Sequence, residues 1–347
     1  MSEPARRALS ELALADFQAL LAGWGFNPVH AVPLLRAFYA SGGELPASGR
    51  SLPRGLPARL REEFSDPAVC VAQRRAAQDG TVKLLLKLRD GRSVESVLMP
   101  DYRQDRAAGC ISSQVGCALG CGFCATGSSG FERDLSAGEM IEQYLALRRQ
   151  AAAQGRRLQT VVFMGMGEPL LNLEAVLAAI GRLVDPALDA LGCRQITVST
   201  AGVVPGIDAL FDSGLPIKLA LSLHAPDDET RARLMPLARR WPIAQVLAAA
   251  ERFQSRNRRT VNVQYLLLKG VNDSPEHARR LAALLRGRRM HVNLLRHSAT
   301  GASYEASDDE AQGRFLAELS AGGVVAHPRR QRGADIDAAC GQLRARL

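Results

Sequence analysis

No stretch of this 347-residue chain approaches the roughly 18 uninterrupted apolar residues that a membrane-spanning helix requires, which argues against a membrane enzyme. The opening Met1-Ser2-Glu3-Pro4-Ala5-Arg6-Arg7 lacks the hydrophobic centre of a secretory signal, so a cytoplasmic protein with no membrane contact is expected. Lysine is scarce. Only Lys83, Lys87, Lys218 and Lys269 stand among 44 basic residues, leaving a positive charge that is almost wholly guanidinium, suited to bidentate phosphate contacts and to stacking on bases. No internal repeat of fixed period is present, and a second Cys-x-x-Cys pair is missing, which counts against a closed four-ligand zinc site.

What is there describes a folded, basic chain. At 47% apolar and 23% charged residues it can bury a sizeable core, and at about 150 residues per domain it suits two domains or one barrel with an appendage. The formal charge of +9 favours an anionic partner: nucleic acid, a phosphorylated cofactor or an acidic surface. Seven cysteines in a chain without secretory signals are expected to stay reduced, and four of them, Cys110, Cys117, Cys121 and Cys124, crowd into fifteen residues.

Helix-period apolar positions at 8–24 and 31–40, followed by a Gly/Pro/Ser-rich stretch at 41–57, predict a small helical module. Alternating patterns at 81–88 and 93–99, with Asp90-Gly91 between them, predict a β-hairpin. Residues 1–100 are therefore expected to form an accessory domain, and residues 101–347 the main one. In the latter, β-rich runs at 110–115, 160–164, 195–200, 217–223, 261–268 and 291–295, with an extra one at 324–327, alternate with helix-period runs at 137–153, 173–184, 243–256, 275–286 and 308–319. The fold class is thus α/β. A partial (β/α)6 TIM-like barrel is expected, with an open doubly wound sheet as the alternative; either way, chemistry belongs at the carboxyl ends of the strands.

Cys117-Ala-Leu-Gly-Cys121-Gly-Phe-Cys124 follows the first of these strands in a loop with Gly116, Gly120 and Gly122. Three thiolates leave one coordination position open; a 4Fe-4S cubane held this way keeps one iron for a substrate or cofactor. Met164-Gly-Met-Gly167-Glu168-Pro169 ends the second strand, its glycines admitting a ligand close to the backbone and Glu168 offering a carboxylate to an amine.

These motifs resemble the radical S-adenosylmethionine (SAM) enzymes, whose hallmark is CxxxCxxC after strand one of a partial barrel. The resemblance implies that Cys117, Cys121 and Cys124 hold a 4Fe-4S cluster, and that Gly167 and Glu168, with Ser199, Ser222, Leu223 and His224 at the next strand ends, bind SAM. It narrows to the RlmN/Cfr RNA methyltransferases on four stretches: residues 110–121 (CISSQVGCALGC), 162–170 (VFMGMGEPL), 196–202 (ITVSTAG) and 329–343 (RRQRGADIDAACGQL). That branch implies methylation of carbon 2 of an adenosine in 23S rRNA, with tRNA as a second RNA class, and two SAM molecules per turnover. Cys340 would take a methyl group from one SAM, and the deoxyadenosyl radical from the other would activate it for addition to adenine. Cys110 would then free the product by attacking the Cys340 sulfur, leaving a transient disulfide, so both thiols are expected to be exposed to the site. Glu95 matches the family's proton acceptor. A reducing electron donor such as flavodoxin or ferredoxin is implied as a partner.

One position departs from the branch. Where relatives commonly read Asn-Leu-Ile-Pro followed by a SAM-contacting asparagine, this chain has Asn293-Leu-Leu-Arg-His-Ser298, and Ser298 offers a hydroxyl in place of an amide. Arginines cluster at 239–240, 256–259, 286–289 and 329–332, the last just before Cys340, where they would hold an RNA backbone. Cys70 and Cys193 match nothing and are expected to be structural. Carbon-8 methylation, a non-catalytic iron-sulfur RNA-binding protein and a radical SAM enzyme with a non-RNA substrate are the alternatives.

Overall fold

The computed structural model describes residues 7–45, 52–64, 67–188, 191–257, 259–301 and 303–345. Residues 1–6, part of the Gly/Pro/Ser-rich stretch (46–51) and Arg258 of one basic cluster lie outside the described residues.

Helices α1 (Leu14–Gly23), α2 (Ala31–Ser41) and α3 (Leu56–Glu63) form the leading module, with the Phe17 and Trp24 rings packed edge-on against Phe64. Strands β1 (Val69–Ala76), β2 (Val82–Leu88), β3 (Ser93–Pro100) and β4 (Arg106–Ile111) then pair antiparallel in sequence order. A hairpin, β5 (Gln114–Gly116) and β6 (Phe131–Asp134), brackets the cysteine loop and the single-turn α4 (Ala125–Ser128). Regular alternation follows: α5 (Ala137–Ala153), β7 (Arg157–Phe163), α6 (Leu173–Val184), β8 (Ile196–Thr200), α7 (Val204–Asp212) and β9 (Lys218–Ser222). It continues through α8 (Asp228–Leu234), α9 (Ile243–Asn257), β10 (Val261–Leu267), α10 (Pro275–Leu285), β11 (Met290–Arg296), α11 (Asp309–Ala321) and β12 (Ala326–Pro328).

All but the β5–β6 pair join one sheet in the order β1-β2-β3-β4-β7-β8-β9-β10-β11-β12. From β4 onward every neighbour is parallel, so six β/α units form the barrel sheet and β12 adds a seventh parallel strand. Helices cover these strands, which accordingly read as nearly unbroken apolar runs, as in β9 and β10.

The hairpin at 82–100 is no separate flap: β3 pairs with β4, so the barrel sheet runs on through it without a break. Its alternation suggests one wet face, yet β2 and β3 are buried on both, including Lys83 and Glu95. Helix α5 covers one side, and the chain from Gly333 onward covers the other through Gly333 N–H to Asp79, Gln78 N–H to Asp335 and Lys83 Nζ to the Asp337 carbonyl. Position 110–115 is not one strand. The chain leaves the sheet at Ser112, whose N–H donates to Gln143 Oε1 of α5 (2.8 Å) and whose hydroxyl donates to the Glu95 carbonyl (2.7 Å). That break aims the following loop across the carboxyl end of the sheet.

Candidate active site

The cysteine loop is shaped by its ends. Gly116 has φ +74°, and a Cβ there would lie 1.9 Å from the Gly130 carbonyl oxygen, so only glycine lets the two arms of the β5–β6 hairpin close. Between them Cys117, Cys121 and Cys124 are all half-buried. Burial pushes the Cys117 thiol up to about 11, with the charges of Cys124 and Glu168 adding to the effect, and raises Cys121 further with help from Cys124 and Cys117. Cys117 and Cys121, held protonated this way, need a nearby cationic group before they can become thiolates, and an iron–sulfur core supplies it. Among the described residues no three His, Cys, Asp or Glu side chains gather as for a single metal ion; a cubane has no such requirement, because each thiolate binds its own iron corner. The donor set therefore fits the cluster.

The Gly-Glu segment is bonded directly to the strand end before that loop. Ser113 N–H donates to the Met166 carbonyl, Met166 N–H to Ser112 Oγ, and Glu168 N–H to Gln114 Oε1 (2.8 Å). Gly167 takes φ +96°, and a Cβ on it would sit 2.5 Å from that of Gln114. Glu168 is buried, accepting from the N–H groups of Leu170 (3.2 Å) and Ala201 (2.8 Å) and bonding the Thr200 hydroxyl. Burial pushes its carboxyl up to about 7, so a bound ammonium would meet a group that gains from a positive partner.

Ser199 and Ser222 are half-buried at the ends of β8 and β9. Leu223 is fully buried and its N–H donates to the Gln264 carbonyl, which leaves no side-chain surface for a ligand. His224 sits at φ +59° with its Nδ1 accepting from Leu266 N–H (3.0 Å) and its ring edge-on to Phe123 at 4.9 Å. Burial and the nearby Arg231 charge lower its pKa to about 3, so it is neutral with the proton on Nε2, a tautomer inferred from the hydrogen bonding.

Arg231, in α8, was not anticipated. It is fully buried, its Nη2 donating to the carbonyls of Ala201 (2.5 Å) and Ser222 (3.4 Å) and its Nη1 to that of Trp241 (3.2 Å). It thus ties the ends of β8 and β9 together. The end of the same helix accepts Gly122 N–H from the cysteine loop at the Leu234 carbonyl (3.0 Å). Burial lowers the guanidinium pKa to about 10, still charged at neutral pH, while Asp228 and Cys121 oppose the shift.

The remaining two site cysteines meet at this mouth. Cys110 is the penultimate residue of β4, and Cys340 comes from the last segment of the chain; burial raises both thiols, with the Cys340 charge adding to Cys110 and the Cys124 charge to Cys340, while Arg329 opposes. Both are free thiols. Their exposure differs from expectation: Cys110 is buried at 8%, and only Cys340 reaches solvent.

The Cys340 segment is held from two sides. Ala125 N–H donates to the Gly341 carbonyl (2.7 Å) and Thr126 Oγ1 to that of Leu343 (2.6 Å), tying it to the cysteine loop. Glu95, 3% exposed, lies not on a solvent face but in an ion pair with buried Lys83 (3.0 Å), and its Oε2 accepts Arg344 N–H (2.9 Å). Lys83 also donates to the Asp337 carbonyl (2.9 Å). The pair therefore grips the segment on both flanks of Cys340.

Ser298 is buried beyond the end of β11, where its Oγ accepts from Gln331 Nε2 (2.5 Å). The arginine clusters divide by topology. Arg256 and Arg259 precede β10, and Arg286, Arg288 and Arg289 precede β11, which puts them at the amino ends of the strands, away from the mouth; Arg256 and Arg288 bond the Phe211 and Leu284 carbonyls there. Arg239-Arg240 and the 329–332 group lie on the mouth side, with Arg329 N–H bonded to the Leu294 carbonyl. Cys70 is exposed on edge strand β1, so it is not a buried structural thiol, and Cys193 is half-buried.

Residues 111–282 match the radical SAM superfamily. The chain is 62% identical over 346 residues to a protein of Opitutus terrae named "Probable dual-specificity RNA methyltransferase RlmN 1", covering 98% of each chain. It is 42% identical over 339 residues to the "Dual-specificity RNA methyltransferase RlmN 1" of Myxococcus xanthus, covering 97% of this chain and 94% of the other. The crystal structure of a radical SAM methyltransferase from Sphaerobacter thermophilus superposes with a TM-score of 0.94 at 42% identity, over 98% of this chain and all of that one.

Proposed function

Because the chain belongs to the RlmN family of radical SAM RNA methyltransferases, we propose that it methylates carbon 2 of adenosine in 23S rRNA and in tRNA, through a methylated Cys340. The observation that carries this reading is the meeting of Cys110, Cys340 and the cysteine triplet at one barrel mouth. Carbon 2 of adenine is electron-poor and cannot attack a sulfonium methyl directly, so the enzyme must hold the one-carbon unit itself. The exposure of Cys340 and the clasp on its segment support that residue in this role.

Cys117, Cys121 and Cys124 would hold the 4Fe-4S cluster, and Glu168 would bind the SAM ammonium, with Ser199, Ser222 and the His224 region along its remaining length. When bound, cluster and SAM supply the methyl group for Cys340, the electron and the 5'-deoxyadenosyl radical that activates it, two SAM molecules serving each turnover. Once adenine is joined to the one-carbon unit on Cys340, the adduct must give up one electron, for which the oxidised cluster would be the acceptor, and its ring proton, which Glu95 or Cys110 accepts. The Cys110 thiolate then forms a bond to the Cys340 sulfur as the sulfur–carbon bond breaks, the departing carbon keeps the bonding pair and takes up a proton to become the methyl group, and thiol exchange reduces the resulting disulfide. For Glu95 to take part, an oxygen now bonded to Lys83 or Arg344 must be released. Arg329, Arg330 and Arg332 would hold RNA phosphates beside Cys340, with the electron arriving from a flavodoxin or ferredoxin.

An anaerobic assay of a Cys340→Ala variant tests the reading. It should still release 5'-deoxyadenosine from SAM under reducing conditions while leaving RNA unmethylated. Normal methylation by that variant would refute the covalent route.

A further inference from the structure

The loop after β11 has unmet polar capacity. Ser298 is 6% exposed and receives one amide proton from Gln331, while its buried neighbours His297 and Thr300 have ring Nε2 and Oγ1 atoms with no protein partner. Orphaned buried polar atoms cost free energy, and two such side chains within four residues, either side of Ser298, indicate a loop completed by a ligand. The loop touches both halves of the site. Tyr304 lies against Gly122 between two cluster cysteines and edge-on to His297 at 6.5 Å, Gln342 Nε2 donates to the Ala299 carbonyl (3.0 Å), and Thr300 faces Gly341 beside Cys340.

Gln331 arrives from elsewhere. It stands among Arg329, Arg330 and Arg332 on the segment leading to Cys340, with its backbone in the exposed part of that segment and its amide reaching inward to Ser298. One N–H of the carboxamide is used on Ser298; its second N–H and its carbonyl oxygen are free to bond a ligand. Ser298 by itself has only a hydroxyl. With Gln331 docked on it, the position presents a donor and an acceptor side by side, as an asparagine would.

We propose that Gln331, seated on Ser298, is a SAM-binding residue of this chain, and that its delivery from the Cys340 segment couples SAM binding to the docking of that segment. The proposal rests on the radical SAM reading of the mouth. Its consequence is cooperation: bound SAM steadies Gln331, and Gln331 steadies the start of the 329–343 segment, adding to the clasp that Lys83, Glu95, Ala125 and Thr126 already make around Cys340. An enzyme that passes a methyl group through Cys340 gains from a thiol held most firmly in a loaded site.

The test compares wild type, Gln331→Ala and the Ser298→Asn/Gln331→Ala double variant as anaerobic, cluster-loaded proteins, measuring equilibrium binding of labelled SAM and amide exchange across residues 329–343. Because Gln331 is exposed and its one side-chain bond is to Ser298, its replacement should lower the thermal midpoint only slightly and leave the fold intact. The Gln331→Ala variant should bind SAM about tenfold more weakly, as loss of a hydrogen bond to a charged ligand implies. It should also lose the slowing of 329–343 exchange that SAM produces in the wild type. The double variant should regain the affinity, because its asparagine restores an amide in the loop itself, but not the slowed exchange. Unchanged affinity in Gln331→Ala, or a double variant no tighter than the single, would overturn the proposal. Wild-type protein that carries its cluster yet binds no SAM would instead overturn the methyltransferase reading on which it stands.

Discussion

Glu142 has both carboxylate oxygens occupied inside α5, one by the Ser10 hydroxyl and the other by Val69 N–H (2.7 Å), and burial pushes its pKa up to about 7 from 4.5. A carboxyl whose pKa is raised on folding contributes stability that is complete below its unfolded value and is lost as pH rises through the folded one. The thermal midpoint of wild type should therefore fall between pH 5 and pH 8 more steeply than that of Glu142→Gln, whose amide can still accept from Val69 and donate to Ser10. Parallel slopes in paired melting curves would contradict this assignment. Single residues were legible in sequence where their chemistry is local: three cysteines within eight residues, or a glutamate inside a glycine turn, announce a ligand by spacing. Lys83 and Gln331 do not, because their partners are distant; Lys83 reaches Asp337 across 254 positions and Glu95 reaches Arg344 across 249. Arg231 looked like any helix arginine until its helix proved to be wedged between two strand ends.

Among elements, the Lys83–Glu95 pair joins β2 and β3 to the Cys340 segment and makes a sharp test. Lys83→Met should cost roughly 3–5 kcal/mol in urea unfolding, since it leaves Glu95 buried and unpaired, and adding Glu95→Gln should recover much of that. Amide exchange in residues 337–344 should quicken in Lys83→Met. If it stays at the wild-type rate, the pair does not hold the segment. The long amphipathic helices were readable, with α5 and α6 at their expected bounds, because 3.6-residue periodicity over twelve or more positions is hard to imitate. Short elements were not. Helix α8 has seven residues, four of them charged, and its stability comes from the Asp227 cap and from burying Arg231, neither visible as a period. The hairpin was placed correctly, but its second buried face depends on a segment more than 230 residues downstream.

For the whole molecule, barrel polarity decides what the excess of arginine can do. Only groups on the mouth side can hold RNA where Cys340 acts, so replacing Arg329, Arg330 and Arg332 together should reduce the salt dependence of RNA binding by roughly two units of log–log slope. Replacing Arg286, exposed at the opposite edge, should leave that slope unchanged. Equal effects in titrations at several salt concentrations would contradict the assignment of the RNA face. The barrel and its ligand edge could be read from alternating strands and helices, whereas the division of the arginines by edge needed the strand order.

The most direct measurement is the identity of the modified nucleoside. RNA from a host lacking this activity, treated anaerobically with cluster-loaded protein, SAM and reductant, then digested and compared with synthetic standards by chromatography and mass spectrometry, should yield 2-methyladenosine from both 23S rRNA and tRNA. Formation of 8-methyladenosine, or unmodified RNA from protein that cleaves SAM, would contradict it.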